Sequence, residues 1–141
     1  MNAYARSADA YLTQRILGTN AEQQAALIME AGQLHLGKAI RALAQSDLAA
    51  ATRSYIRVSE VIMEATIRLD LENGGEAAQS LKGLYDHWTR EIMAASRTKD
   101  TARLEAVVRG MGEIRQAWEQ LHDLKVGPRR VQTFQLGDQV G

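Results

Sequence analysis

Glu119 and His122 form a Glu-x-x-His motif, the pair of residues in this sequence with the clearest potential for chemistry. Side chains three residues apart lie on one face of a helix, and four-helix bundles that hold two iron or manganese ions use this spacing. Such a site takes two Glu-x-x-His motifs and a glutamate from each of the other two helices. The sequence contains one copy, and Glu30, Glu64 and Glu91 fit solvated surface carboxylates. We therefore expect no metal site.

Three histidines, His35, His87 and His122, fall on three different predicted helices. There is no His-Glu-x-x-His motif, and we predict that all three lie at the surface or edge of the fold. The chain has no cysteine, so the thiolate ligands of most structural zinc sites are missing. A Ser-His-Asp or paired-carboxylate catalyst stays open on residue types alone. No glycine-rich nucleophile turn or phosphate loop supports one, so we expect no catalytic residue and no cofactor.

The segment Gln79-Ser80-Leu81-Lys82-Gly83 resembles the His-x-Leu-Lys-Gly segment of histidine phosphotransfer domains, which are also four-helix bundles. In those domains the histidine accepts the phosphoryl group. Here Gln79 stands at that position, and its amide cannot accept one. His87 lies eight residues further on, about 80° around the helix from Gln79. We therefore expect no phosphotransfer activity.

Composition and charge narrow the class of protein. Of the 141 residues, 45% are apolar and 24% are charged, which is ordinary for one globular domain. There are 17 basic and 17 acidic residues, so no broad basic surface attracts nucleic acid or an anionic membrane. No apolar run reaches the ~20 residues of a membrane span, and no signal-peptide pattern is present. We expect a cytoplasmic protein without nucleic-acid partners or membrane insertion.

The stretch Leu69–Glu76 contains the strongest break in an otherwise helical pattern. Its Asn73-Gly74-Gly75 predicts the end of a helix, because glycine reaches left-handed backbone angles and caps the last carbonyls. Two amphipathic segments precede this turn and two follow it. Short connections favour antiparallel neighbours. The sequence therefore predicts an all-α fold: an antiparallel up-down-up-down four-helix bundle with a short N-terminal helix or cap segment.

Caps and terminators divide the chain into three parts. We predict a cap segment at residues 1–18, the four-helix bundle at residues 19–126, and a flexible tail without helical period at residues 127–141. The second helix is predicted to run to about Glu72. The other predicted boundary signals are a capping box at Thr19–Glu22, caps at Ser46, Asp47 and Asp100, an end of the third helix near Arg97, and an end of the fourth at Val126-Gly127-Pro128.

The second predicted helix carries two apolar strips. The first alternates spacings of three and four residues, as expected of a core-facing stripe: Leu48, Ala51, Tyr55, Val58, Ile62, Ala65 and Leu69. The second strip consists of Ile56, Met63 and Ile67 on a neighbouring face. A helix with two apolar faces either lies centrally or presents one face to a partner. We interpret the second strip as a candidate groove for a partner helix, with burial in the core as the alternative.

Three segments carry a resemblance to a known family. They are Leu69-Asp70-Leu71-Glu72-Asn73-Gly74-Gly75-Glu76-Ala77-Ala78 with Leu81, Leu84-Tyr85-Asp86 and Trp88; Glu113-Ile114-Arg115-Gln116-Ala117-Trp118; and Tyr11-Leu12-Thr13-Gln14 with Ile16-Leu17 and Glu22-Gln23. Together they resemble the FliS family of flagellin export chaperones, from residue 11 to about residue 122. The sequence departs from the family pattern at Thr19-Asn20-Ala21, where the family has Ala-Ser-Pro, and at Ile28-Met29-Glu30-Ala31-Gly32, where it has Leu-Tyr-Asp-Gly-Ala.

The resemblance implies a cytoplasmic bundle that binds the C-terminal segment of flagellin. Such a chaperone prevents premature polymerisation and delivers its cargo to the flagellar type III export apparatus, where the export gate is a further partner. In the family the N-terminal segment lies over part of the flagellin site and is displaced. Tyr11 matches that segment's tyrosine and takes its role here, with Leu12 and Ile16 beside it. The protein is then a monomer or weak homodimer.

One alternative function stays open beside the chaperone. The departures in the first helix allow a non-enzymatic helical-bundle adaptor or regulator that binds another flagellar assembly or regulatory protein. Both functions use binding surfaces and no chemistry, so the identity of the partner separates them.

Overall fold

The computed structural model describes the backbone of residues 20–140 and the side chains of residues 20–124. This part of the chain contains helices and no strand: α1 (Ala21–Ala44), α2 (Leu48–Ile67), α3 (Gly75–Thr98) and α4 (Thr101–Val140). The predicted all-α class is therefore confirmed. Within the described residues, no helix combines the length and apolar character needed to cross a membrane. The predicted cap segment, residues 1–18, lies outside the described residues.

Within the described residues, the backbone divides into two compact units, residues 28–114 and residues 20–27 with 115–140. The first unit holds a single cluster of buried side chains to which all four helices contribute. Its members are Ile28, Met29, Leu36 and Ala39 from α1, Val58, Ile62 and Ala65 from α2, Tyr85, Trp88, Ile92 and Ala95 from α3, and Leu104, Val107 and Met111 from α4. One core shared by four long helices is the arrangement of a helical bundle.

The predicted core stripe of α2 is confirmed along most of its length. Ala51, Val58, Ile62 and Ala65 are buried, and Tyr55 and Leu69 pack against the core while partly buried. The prediction is wrong at Leu48, whose side chain is 50% exposed. Leu48 is the first residue of α2. Residues at the end of a helix are covered by neighbouring helices less completely than residues in its middle.

The capping box of α1 lies one residue later than predicted. The Asn20 side-chain Oδ1 accepts the backbone N–H of Gln23 at 2.9 Å, and the Gln23 Oε1 accepts the backbone N–H of Asn20 at 3.3 Å. Asparagine is as good an N-cap as serine, and glutamine serves in place of glutamate at the third position. Glu22 is instead buried, and Thr19 lies outside the described residues.

The predicted caps of α2 and α4 are confirmed at two aspartates. The Asp47 Oδ1 accepts the backbone N–H of Ala50 at 3.0 Å, and the Asp100 Oδ1 accepts that of Arg103 at 3.3 Å. Each carboxylate satisfies one of the N–H groups that the first turn of a helix leaves without an intrahelical partner.

The connection between α2 and α3 is built on Asp70. Its Oδ1 accepts the Asn73 backbone N–H at 3.0 Å, and its carbonyl accepts the Gly74 N–H at 2.7 Å. These local bonds compete with the helix, so α2 ends at Ile67 rather than near Glu72. Gly74 and Gly75 open α3 instead of capping α2. A Cβ on Gly74 would collide with the Asp70 carbonyl, and Gly75 has a φ of +62°.

The predicted end of the fourth helix at Val126-Gly127-Pro128 is not observed, because the backbone of α4 is helical to Val140. Proline removes one backbone hydrogen bond and crowds the preceding turn. These effects weaken a helix without always ending it, and the backbone of α4 stays helical through Gly127 and Pro128.

We expect substitution by alanine to have opposite effects at two glycines that lie in helix interiors. A Cβ on Gly32 of α1 would lie 2.6 Å from the Sδ of Met111, which is fully buried in α4. A Cβ on Gly83 of α3 would meet nothing within 4 Å. We expect Gly32→Ala to lower the free energy of unfolding by about 2 kcal/mol through overpacking. We expect Gly83→Ala to raise it by up to about 1 kcal/mol, since alanine is the better helix former. Urea unfolding of both variants checks the prediction, and a loss at Gly83 would contradict it.

Candidate partner-binding site

A surface groove of about 480 Å³ lies between α2 and α3. Residues of α2 line one side and residues of α3 the other: Thr52, Tyr55, Ile56, Ser59, Glu60, Met63, Ile92, Met93 and Ser96. Apolar side chains supply most of the lining, while hydroxyl groups and one carboxylate complete it. Large apolar side chains exposed side by side mark binding surfaces more often than isolated ones do.

The second apolar strip of α2 lies at the surface, so the alternative of burial in the core is excluded for its three residues. Ile56 is 54% exposed, Met63 63% and Ile67 70%. Ile56 and Met63 line the groove, seven residues or two helical turns apart. Ile67 is the last residue of α2 and continues the strip beyond the lining residues. The structure thus brings two of the three predicted residues together in one groove.

Met93 and Tyr55 are among the groove residues that the sequence prediction did not assign to it. Met93 of α3 is 54% exposed and faces the groove opposite the α2 strip. Tyr55 was assigned to the core stripe and also lines the groove. The sequence signal for both residues is a pair of adjacent apolar residues, Tyr55-Ile56 and Ile92-Met93, in which the first packs against the core and the second lies at the surface. Tyr11, Leu12 and Ile16 lie outside the described residues.

The hydroxyl of Tyr55 is buried and has no hydrogen-bond partner among the described residues. Burial raises the pKa of Tyr55 above its ordinary value, because a phenolate would lose its hydration. An unpaired buried hydroxyl also costs stability, since the group gives up water without gaining another partner.

This feature predicts that Tyr55→Phe does not destabilise the fold. Removing a paired buried hydroxyl usually costs about 1 kcal/mol, but here we expect the free energy of unfolding to be unchanged or higher by up to about 1 kcal/mol. Chemical denaturation of the two proteins measures the difference. A loss of stability in Tyr55→Phe would mean that the hydroxyl does have a partner in solution.

Glu119 and His122 of the Glu-x-x-His motif have different partners in the structure. Glu119 is exposed and pairs with Arg115 of the preceding turn, with 2.9 Å between Oε1 and Nε. Within residues 20–124, no three or more histidine, aspartate or glutamate side chains are placed to share a metal ion. Glu119 therefore belongs to an ion pair with Arg115, and His122 is not part of it.

The prediction of a surface or edge position is wrong for His122, which is 7% exposed. Its Nδ1 lies 2.7 Å from the Asn20 Nδ2. Because the amide nitrogen can only donate, Nδ1 accepts and the imidazole proton resides on Nε2. Asn20 thus uses its oxygen to cap α1 and its nitrogen to hold His122. His87 is exposed and His35 is partly buried.

The match to known proteins covers α1, α2, α3 and the first part of α4. The family described as Flagellar protein FliS matches residues 3–125 of the chain. The chain belongs to the FliS family. Two relatives are named flagellar secretion chaperone FliS. The one from Vibrio cholerae is 29% identical over 85 residues, which are 60% of this chain and 61% of the relative. The one from Salmonella typhimurium is 26% identical over 107 residues, which are 75% of this chain and 79% of the relative.

Membership of the FliS family confirms the resemblance. The structure shows where the motif residues lie. The segment Leu69–Ala78 contains the Asp70-centred turn and the start of α3. Tyr85 and Trp88 of the same motif belong to the core and contact each other, with 5.4 Å between ring centroids. The specific part of the FliS motif thus sets the turn and the core. The apolar strip at the groove lies outside the quoted motifs.

Proposed function

We propose that this chain is a cytoplasmic flagellar secretion chaperone. It binds the C-terminal segment of flagellin, prevents its premature polymerisation and delivers it to the flagellar type III export apparatus. The observation that carries the proposal is membership of the FliS family, matched over residues 3–125, with relatives named as flagellar secretion chaperones. The chain acts by binding its partner alone. It uses no catalytic step, no metal and no cofactor.

The groove between α2 and α3 is suited to a helical ligand. Ile56 and Met63 are exposed on one wall and Met93 on the other. An amphipathic helix can lay its apolar face in such a groove and leave its polar face in water. The 20 residues of α2 extend about 30 Å, which is long enough for several turns of ligand. Burial of these side chains supplies about 25 cal/mol per Å² of apolar surface.

In this proposal the bundle is antiparallel, up-down-up-down, and residues 1–18 form a cap segment. The connections support this order, because only residues 45–47 separate α1 from α2 and only residues 99–100 separate α3 from α4. Tyr11, Leu12 and Ile16 of the cap segment cover part of the flagellin site in the free protein. The ligand displaces them when it binds.

Calorimetric titration with the last forty or so residues of the cognate flagellin tests the proposal. We expect binding at about micromolar affinity or tighter, with a negative heat-capacity change from apolar burial. We expect Tyr11→Ala to change the affinity, because it removes a side chain that the ligand displaces. No binding by correctly folded protein would overturn the flagellin assignment.

Such a negative result would favour the adaptor or regulator of another flagellar protein. The departure in α1 that allows this alternative is Ile28-Met29-Glu30-Ala31-Gly32. Ile28 and Met29 are 4% and 1% exposed and Gly32 is buried, so a change at these three positions alters packing inside the bundle. Glu30 and Ala31 are only partly buried, so a partner could meet the departure there.

A further inference from the structure

The methionines of the described residues fall into two opposite environments. Met29 and Met111 are 1% and 0% exposed and belong to the core. Met63 and Met93 are 63% and 54% exposed and line the two walls of the same groove. The chain has 5 methionines, and the remaining one, Met1, lies outside the described residues.

Exposure decides how readily a thioether meets a dissolved oxidant. A sulfur lone pair attacks one oxygen of a hydroperoxide, an S–O bond forms and the O–O bond breaks. With hydrogen peroxide the products are methionine sulfoxide and one water. The sulfur loses two electrons, which reduce the two oxygens of the broken O–O bond. The proton on the transferred oxygen passes to the departing hydroxide and completes the water. The core sulfurs of Met29 and Met111 are shielded from this reaction, whereas those of Met63 and Met93 lie on exposed side chains.

We propose that Met63 and Met93 are oxidation sites, and that their oxidation to the sulfoxide lowers the affinity of the groove for its ligand. This inference rests on the proposed function, because it assigns a regulation to the same site. A sulfoxide is polar and a strong hydrogen-bond acceptor, whereas the thioether is a flexible apolar group that adapts to its partner. An apolar ligand face offers the new oxygen no donor. The ligand would therefore bury an unpaired polar group on each wall of the groove.

The site itself is tested on the chain alone. The protein is treated with hydrogen peroxide under native conditions, freed of oxidant and mapped by peptide mass spectrometry over time. We expect Met63 and Met93 to gain one oxygen each well before Met29 and Met111 do. Denatured protein is the control, and there the four residues should react at similar rates. Equal rates in the native protein would overturn the oxidation site.

The effect on binding is tested with the oxidised chain and the reduced flagellin segment. We expect oxidation to weaken binding by about 10-fold or more. The variant M63L/M93L keeps side-chain volume and apolar character but has no sulfur at either position. Its affinity after peroxide is compared with its own affinity before peroxide, and we expect no change between the two. Any effect of Met1 is common to both proteins. Treatment of the oxidised wild type with methionine sulfoxide reductases and dithiothreitol should restore the affinity.

Each outcome of these measurements bears on one claim. Unchanged binding by wild type oxidised at Met63 and Met93 would overturn the regulation, and so would an equal loss in M63L/M93L. A reduced wild type that does not bind the flagellin segment would overturn the proposed function and this regulation with it. The mass-spectrometric order of oxidation would still establish or refute the modification site.

Discussion

We expect the double variant Ile56→Glu/Met63→Glu to bind the flagellin C-terminal segment roughly 100-fold more weakly than the wild type. Both side chains line the groove and leave more than half of their surface available for a ligand, at 54% and 63% exposure. Burying that surface is worth on the order of 1 kcal/mol for each residue. A glutamate at either position adds the cost of pressing a carboxylate against an apolar ligand.

The fold should tolerate these changes, because the two side chains lie at the surface and glutamate is a good helix former. We expect the free energy of unfolding to stay within about 0.5 kcal/mol of wild type. Calorimetric titration gives the affinity, and circular dichroism with urea gives the stability. A folded double variant that binds as well as wild type would show that this groove is not the site.

Leu34→Glu is the matched control for that prediction. Leu34 lies on α1 and is 54% exposed, the same fraction as Ile56. It does not line the groove between α2 and α3. The control therefore replaces one large exposed aliphatic side chain by glutamate, as Ile56→Glu does, at the same exposure in a different place. An equal loss of affinity in Leu34→Glu would mean that any added surface charge weakens binding, and the groove would have no special role.

The helical fold could be predicted from the sequence because its signals are local. Apolar periodicity gave the buried positions of α2, and Asp47 and Asp100 gave correct helix starts. The end of α2 could not be predicted in the same way. Leu69 and Leu71 continue the apolar pattern past Ile67, but the side chain and carbonyl of Asp70 close a turn instead. Periodicity does not reveal which of two local hydrogen-bond patterns is the more stable.

Only the α2 wall of the candidate groove could be predicted from the sequence; the α3 wall could not. The α2 strip is visible as a second period, which gave Ile56 and Met63. Met93 was missed because its place opposite that strip depends on how α3 is rotated against α2. Rotation is set by packing across the whole core, including contacts between residues far apart in sequence. The burial of His122 was missed for the same reason, since Asn20 lies 102 positions away.

Trp88→Ala is expected to be among the most destabilising single substitutions in the chain. Trp88 is 3% exposed within the core cluster, and its ring lies 5.4 Å from that of Tyr85. Removing a buried tryptophan leaves a large cavity and costs about 3–5 kcal/mol. Thermal unfolding should therefore begin roughly 10 °C lower. Trp118→Ala is the control, because Trp118 is only partly buried and should cost less. An equal loss in the two variants would contradict the central place of Trp88.

The contact of Trp88 with Gly110 allows the packing of the indole to be tested by a double-mutant cycle. A Cβ on Gly110 of α4 would lie 3.1 Å from the Trp88 Nε1 and 3.2 Å from its Cζ2. In the wild type we expect Gly110→Ala to destabilise by about 1–2 kcal/mol, because the buried indole has little room to move. In the Trp88→Ala background the obstacle is gone, and the better helix propensity of alanine should make the same change neutral or stabilising. The double-mutant cycle would then show a coupling of about 1–3 kcal/mol. Simple additivity would mean that the indole does not pack against Gly110, and α3 and α4 would have to meet differently.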